Sequence, residues 1–556
     1  MASDPRRSRF PDLAAPLAWA VALWTVLTTV AIAIAGATDL PYADDWEVWG
    51  TWLRQGYSLG WFFSQLNDHR IATTRLLFAI SHLAFDGRGW FLQAASLAIQ
   101  GLLAWLLWKL ATRAGVNDPG DRRVLGAAIV SILFSGAQYM NIVWGFQVQF
   151  FLVSASGMAA LGALLRAAEA TRPWARWAWM AVCLLLGAAC SYSMADGVLI
   201  WPVLLLAAGR LGVGRRAMGL VGAAAVAVLA HFFHGWHASL LSAPSPAWRR
   251  VVFALANAGS PIFPLASRLG GVNSGAVIAA TAVGALLVPG ALFHWFRAWT
   301  RHPSYSGARV ALAHGAVFMA AASFALAFGR ARMPFLDAFR SRYFTPPGVF
   351  WACLLAVAWP SLRTLGARRL RWAVAIAMLV CVAWHQMGAL DAAREYGAKR
   401  RLASVALAAG VYDPPLLSIL NHSVADLTPV IEYLKEHRLA LFHQEWTHWP
   451  GQRLGARFSI DPDAAACSGG IRDAAPVGDP AGRGWRVSGW ARDASGGGPR
   501  RIVLADSSGT IAGVALEASG LWEGYARGES PAVAAYGVEG DGRSLCYLGT
   551  RPLPPR

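Results

Sequence analysis

The sequence predicts a mainly α, polytopic membrane protein of about eleven transmembrane helices, with a C-terminal extracytoplasmic domain ending in a small β-sandwich. Three observations predict it. Of 556 residues, 56% are hydrophobic and only 14% are charged, whereas soluble domains carry about 25% charged residues. Apolar runs of membrane-crossing length recur between residues 14 and 388. After about residue 456 the chain turns Gly-rich, and the alternating stretches "WRVSGWA", "RRIVLADSSGTIAGVAL" and "AVAAYGV" read as strands.

The elements follow in order. "MASDPRRSRFPDLAAPLAWAVALW" is basic and then apolar. The apolar part is long and no Ala-x-Ala site follows, so it reads as a retained first span rather than a signal peptide. A span needs about 20 apolar residues, and segments near 14–36, 90–108, 124–138, 146–166, 177–193, 197–209, 217–234, 274–296, 310–328, 346–360 and 372–388 supply them. Basic loops alternate with non-basic ones: Arg6, Arg7 and Arg9; Lys109, Arg113, Arg122 and Arg123; Arg172 and Arg176; Arg210, Arg215 and Arg216; Arg297, Arg301 and Arg309; Arg363, Arg368, Arg369 and Arg371. By the positive-inside rule these loops and the N-terminus are cytoplasmic, and the C-terminal region is outside. The net charge of +18 is therefore dispersed over loop ends, which argues against nucleic acid as a partner and for a lipid bilayer.

"HRIATTRLLFAISHLAF" (69–85) resembles a span, but counting it as one would put the basic loop at 109–123 outside. Residues 45–85 are therefore read as helices in the outer interface, anchored by Trp46, Trp49, Trp52, Trp61 and Phe62. The expected domains are a membrane domain at 1–388 with a first outer loop at 37–89, a helical region at 389–455, and the β-region at 456–556. Cys183, Cys190, Cys353 and Cys381 fall in spans as packed thiols. Cys467 and Cys546 flank the β-region and suit a disulfide in an oxidising compartment.

The chemistry gathers on the outer face. "DLPYADDWEVWG" sets Asp44, Asp45 and Glu47 directly after the first span, and His69, Arg70 and Arg75 follow in the same loop. A second cationic run, "GRARMPFLDAFRSRYFTPP", holds Arg330, Arg332, Arg340, Arg342 and Tyr343 against the orientation rule that the other loops obey. Carboxylates and separated Arg groups at a bilayer surface suit one reaction. A sugar leaves a lipid phosphate, Arg or protonated His stabilises the leaving phosphate, and a carboxylate takes the proton from an acceptor hydroxyl. A lone carboxylate base inverts the anomeric centre, because no covalent sugar intermediate forms.

On "YADDWE", "NDHRIATTRLL", "FRSRYF", "NIVWGFQVQFF" and "SYSMADGVLIWP", the chain over roughly residues 14–390 resembles the GT-C superfamily of integral-membrane glycosyltransferases. That superfamily includes aminoarabinose transferases, protein O-mannosyltransferases and arabinofuranosyltransferases. The resemblance implies a GT-C-like fold and an EC 2.4-class, polyprenyl-phosphate-dependent reaction at the periplasmic face of a bacterial inner membrane. The acceptor would be a glycan, lipid or protein. It implies that Asp44 or Asp45 is the base, with the other as partner or ligand of a divalent metal ion; no other cofactor is implied. Donor phosphate would be held by His69, Arg70, Arg75, Arg340, Arg342 and Tyr343, with Glu47, Asp196 and Gln147 lining the site. The β-region would match the carbohydrate-binding domains of some arabinofuranosyltransferases.

Plainer readings stand beside these. The acids suit the positive end of a helix dipole, the Arg and His groups suit lipid headgroups, and Asp196 suits an ordinary turn. His231, His234 and His237 in "HFFHGWH", and His443, Glu445 and His448 in "FHQEWTHW", lack metal-ligand spacing. The competing functions are a transporter or flippase of lipid-linked sugars and an O-antigen ligase or polymerase. Transporters place ionisable groups near the midplane of paired broken helices, whereas here they sit at span ends.

Overall fold

The computed structural model describes residues 13–238, 245–300, 305–420, 424–460, 468–478, 483–492, 499, 501–518, 520–539 and 541–554. Among them, ten helices are long and apolar enough to cross a membrane: Ala14–Gly36, Gly89–Arg113, Pro119–Val143, Gly145–Glu169, Pro173–Ser191, Arg215–Phe233, Ser274–Trp299, Gly307–Arg330, Thr345–Leu365 and Ala367–Ala408. By that measure the chain is a multi-pass membrane protein. The one expected span outside these ten, 197–209, is the helix Ile200–Leu211. Its 12 residues rise roughly 18 Å, less than the hydrocarbon thickness of about 30 Å, and the orientation read from the basic loops requires it to cross together with its flanking residues 197–199 and 212–214. A 3-10 turn, Ala195–Leu199, precedes it, and Gly197 within it packs so closely that a Cβ would meet the Cys190 carbonyl at 2.0 Å. Residues 45–85 form the helices Asp44–Gln55, Leu59–Phe63 and Ala72–Phe85. The last has 14 residues, below spanning length.

The chain divides into two compact units, one of residues 1–35, 58–77 and 92–393, the other of 36–57, 78–91 and 394–556. The first holds the membrane helices. One of them breaks: Pro119–Leu133 ends in Phe134, and short turns Gly136–Gln138, Tyr139–Val143 and Gly145–Gln147 lead into Val148–Glu169. The freed carbonyls find side-chain donors, as buried apolar surroundings require. Gln100 and Gln138 donate to Leu133, and Thr29 donates to Phe134.

In the second unit the expected β-region forms as one curled sheet rather than two stacked ones. A hairpin of β1 (Gln65–Leu66) and β2 (His69–Arg70) belongs to the first unit. The remaining strands are β3 (Ser459–Ile460), β4 (Ser468–Pro476), β5 (Gly484–Arg492), β6 (Arg501–Asp506), β7 (Ile511–Ala518), β8 (Leu521–Arg527), β9 (Ala532–Val538) and β10 (Ser544–Pro552), in the order β3-β10-β9-β6-β7-β8-β5-β4. β4 curls back to β10, so that a Cβ at Gly469 would lie 2.5 Å from Leu548. Trp485, Val487, Ile502, Leu504 and Trp522 fill the interior. Near-closure of this kind removes most exposed strand edge. Cys546 is in a disulfide, while Cys467 lies outside the described residues; Cys183, Cys190, Cys353 and Cys381 are free thiols.

Candidate active site

In the second unit the acidic stretch is a turn and a helix start. Asp45 N–H donates to the Tyr42 carbonyl at 3.0 Å, closing a turn in which Ala43 adopts φ 46°, ψ −117°. That is the first central position of a type II′ turn, where glycine is the usual occupant. The Asp45 Oδ2 accepts back from Tyr42 N–H at 2.9 Å. Asp44, Asp45 and Glu47 then occupy the first turn of Asp44–Gln55, so the helix-end reading holds geometrically whatever else the acids do. Asp45 is buried, Asp44 half-buried and Glu47 exposed. Arg400 holds the approach to the turn. It donates to the Leu40 carbonyl and lies 5.4 Å from the Tyr42 ring and 5.3 Å from that of Tyr396. Asp39, the fourth acid of the stretch, pairs with Arg88 at 3.4 Å and accepts from Gln444 at 3.0 Å.

The cations at 69–75 belong to the first unit and are engaged with backbone. Arg70 donates through Nε to Phe232 O at 2.7 Å, through Nη1 to Phe63 O at 2.6 Å, and through Nη2 to His234 O. Arg75 is fully buried. Its Nη1 reaches the carbonyls of Trp61 and Ser64 at the end of Leu59–Phe63, and its guanidinium lies 5.5 Å from the Trp61 ring centre. Both arginines fold the loop. His69 Nδ1 accepts the backbone N–H of Ala195 at 3.2 Å, which assigns the ring proton to Nε2. Protonating Nδ1 would set two N–H groups against each other. Burial, with a smaller contribution from Arg330, lowers the His69 pKa to about 4 against a rise from Asp68, so His69 is neutral rather than cationic at pH 7.

Asp196 stands beside that contact. Thr73 N–H and Oγ1 donate to Tyr192 O, and Thr73 Oγ1 pairs with Ser193 Oγ at 2.8 Å, so residues 192–193 are docked on the start of the helix Ala72–Phe85. Burial raises the Asp196 pKa to about 7, against hydrogen bonds from its own N–H and that of Gly197.

The second cationic run forms the 3-10 turns Phe335–Phe339 and Ser341–Tyr343. Arg330 Nε donates to the buried Tyr343 hydroxyl at 3.0 Å, and the Arg342 guanidinium lies 4.9 Å from the same ring. Among the described residues neither arginine has an acidic partner within ion-pair distance, and the buried Arg342 Nε has no hydrogen-bond partner. Arg340 is exposed and pairs with Asp337 at 3.1 Å. Gln147 is buried at the start of Val148–Glu169, and its Oε1 also lacks a partner among these residues. Among the described residues no three His, Cys, Asp or Glu side chains are grouped to hold a metal ion.

Sequence reasoning passed over Arg330 as a site residue although it stands in the quoted run. It also passed over the helix Ala247–Ala258, whose Arg249 donates to Ala331 O and Met333 O and lies 4.6 Å from the Phe335 ring. Two adjacent arginines disguise that helix as loop.

No family model matches the chain, and no curated protein matches it in sequence. Among solved structures it is similar to the Archaeoglobus fulgidus oligosaccharyltransferase. The complex with Zn and sulfate aligns at 14% identity and TM-score 0.38, over 68% of this chain and 53% of that one. The apo form aligns at 14% identity and TM-score 0.41, over 70% and 58%. The chain thus spans little more than half the length of those proteins.

Proposed function

We propose that the chain is an inverting glycosyltransferase that moves one sugar from a polyprenyl-phosphate donor to an acceptor hydroxyl at the outer face of a membrane. The observation that carries this reading is the meeting of two guanidinium groups, Arg330 and Arg342, on Tyr343 without an acidic partner among the described residues. Such a pair suits a phosphate, whose charge grows as the glycosidic bond breaks, through charge-assisted hydrogen bonds. Arg340 extends the cationic surface. Arg70 and Arg75 act by shaping the 58–77 loop, and neutral His69 supplies an Nε2–H donor rather than a charge. Asp44, or failing that Asp45, removes the acceptor proton; a positioned general base contributes typically ~10²–10⁴-fold. The basic loops place the N-terminus in the cytoplasm and the C-terminal unit outside, where its sheet would present a glycan, lipid or protein acceptor.

The test is transfer from radiolabelled polyprenyl-phosphate sugars by wild type, Asp44→Asn and Asp45→Asn, with donor binding measured in parallel. One variant should bind donor normally and lose transfer ~10²-fold or more. Normal transfer by both would reduce the acids to a helix start and bring the flippase reading forward.

A further inference from the structure

Two asparagines that no reading of the chemistry uses converge on the arginine-bearing turn. Asn141, in Tyr139–Val143, is fully buried. Its Nδ2 donates to Arg342 O at 3.0 Å and to Thr345 Oγ1 at 2.9 Å. Thr345 Oγ1 in turn donates to Gln138 Oε1 at 2.8 Å. Asn257, in Ala247–Ala258, is equally buried, and its Nδ2 donates to Ala338 O at 2.9 Å and Tyr343 O at 3.4 Å. Each amide oxygen is buried and has no hydrogen-bond partner among the described residues. An amide buried with half its capacity unused costs free energy that an apolar residue would not. Apolar packing of Phe253, Ala254 and Ala256 on Ala338 and Phe339 already holds this turn in place. What packing does not fix is rotation of the turn about its own axis. Three carbonyls, of 338, 342 and 343, pinned from two different helices do fix it.

We propose that Asn141 and Asn257 are positioning residues. They set the rotation of 338–343 so that Arg342 and the Tyr343–Arg330 pair converge on the phosphate of a polyprenyl-phosphate lipid. The proposal rests on the donor reading above. Because both amides act only as donors, to carbonyl oxygens and in Asn141 also to the Thr345 hydroxyl, the isosteric change to aspartate is informative. A carboxylate there repels the carbonyls, whereas its protonated form donates an O–H and restores the contact. Burial raises the pKa of such a carboxyl, which brings the restoration within reach of mildly acidic pH.

The experiment measures binding of undecaprenyl phosphate, and of the uncharged alcohol undecaprenol, to purified full-length protein at pH 5.5 and pH 8. Wild type, Asn141→Asp and Asn257→Asp are compared, with Asn141→Ala and Asn257→Ala as variants that add no charge. The aspartate variants should bind the phosphate about tenfold more weakly than wild type at pH 8 and recover most of that at pH 5.5. The alanine variants should be weak at both pH values, and undecaprenol binding should be unchanged throughout. Wild-type affinity for the phosphate in all four variants, or equal loss of both lipids, would overturn the positioning role. A wild type that binds neither lipid, or binds both equally at both pH values, would instead overturn the donor reading.

Discussion

Ala43 sits at φ 46° with its side chain buried, a conformation that costs a non-glycine residue of order 1–3 kcal/mol. The strain falls on the residue that aims Asp44 and Asp45. Two other residues set the behaviour with pH. His69 has its pKa lowered to about 4 from 6.5, so between those values the unfolded chain binds more protons and stability rises with pH. Asp196 has its pKa raised to about 7 from 3.8. There the folded chain binds more protons, and stability falls as pH rises. The two contributions oppose each other over nearly the same window. Asp196→Asn should therefore leave a melting temperature that climbs from pH 4 to 6.5, and His69→Gln one that declines from pH 4 to 7. Parallel profiles for the two variants would show that the pair does not control this dependence. Neither effect was legible beforehand. The sequence marks His69 as a candidate cation, but its burial keeps it neutral, and the N–H that fixes its tautomer comes from Ala195, 126 positions away.

Among elements, the helices Ala247–Ala258 and Ser274–Trp299 meet backbone to backbone. A Cβ at Gly259 would fall 1.8 Å from Ala280 O, and one at Gly284 would fall 1.9 Å from Leu255 O. Small residues are what allow such an approach inside a membrane. Gly284→Val should destabilise the detergent-solubilised protein by about 1–3 kcal/mol or more, seen as a lowered melting temperature, while Gly290→Val, with open space around it, should not. The spans themselves were legible because apolar length is a local property. The helix at 247–258 was not, since its support comes from carbonyls of residues 331 and 333. The strands were legible from their alternation. Their closure into one curled sheet was not, because contact between β4 and β10 is a long-range matter. Among the candidate residues, the acids and the 330–343 run could be picked out as residue types, but not which arginines had already been taken up by backbone.

For the whole molecule, the charge pattern makes a prediction about sides of the membrane. Thr364 and Ser508 are both exposed. In a cysteine-depleted background that keeps Cys467 and Cys546, Ser508→Cys should react with an impermeant maleimide in intact cells or spheroplasts. Thr364→Cys should react only after permeabilisation. The opposite pattern would invert the proposed orientation and put the acids on the cytoplasmic face.

The buried Gln386 has a consequence for how this protein is made. Its Nε2 donates to Thr25 O at 2.9 Å and to Thr28 Oγ1 at 2.8 Å and lies 3.2 Å from Thr29 Oγ1, and its Oε1 accepts Gly136 N–H. The first and last membrane helices are thus joined by one side chain across 361 positions of sequence. At about 5–20 residues per second of synthesis, the first helix leaves the ribosome roughly 20–70 s before its partner exists. It can wait in lipid because its threonines have local acceptors: Thr25 bonds to Val21 O, Thr28 to Trp24 O and Thr29 to Thr25 O. Assembly of the bundle is therefore completed only once translation has passed residue 386, and a nascent chain stalled earlier would hold its first helix in the bilayer without its final neighbour.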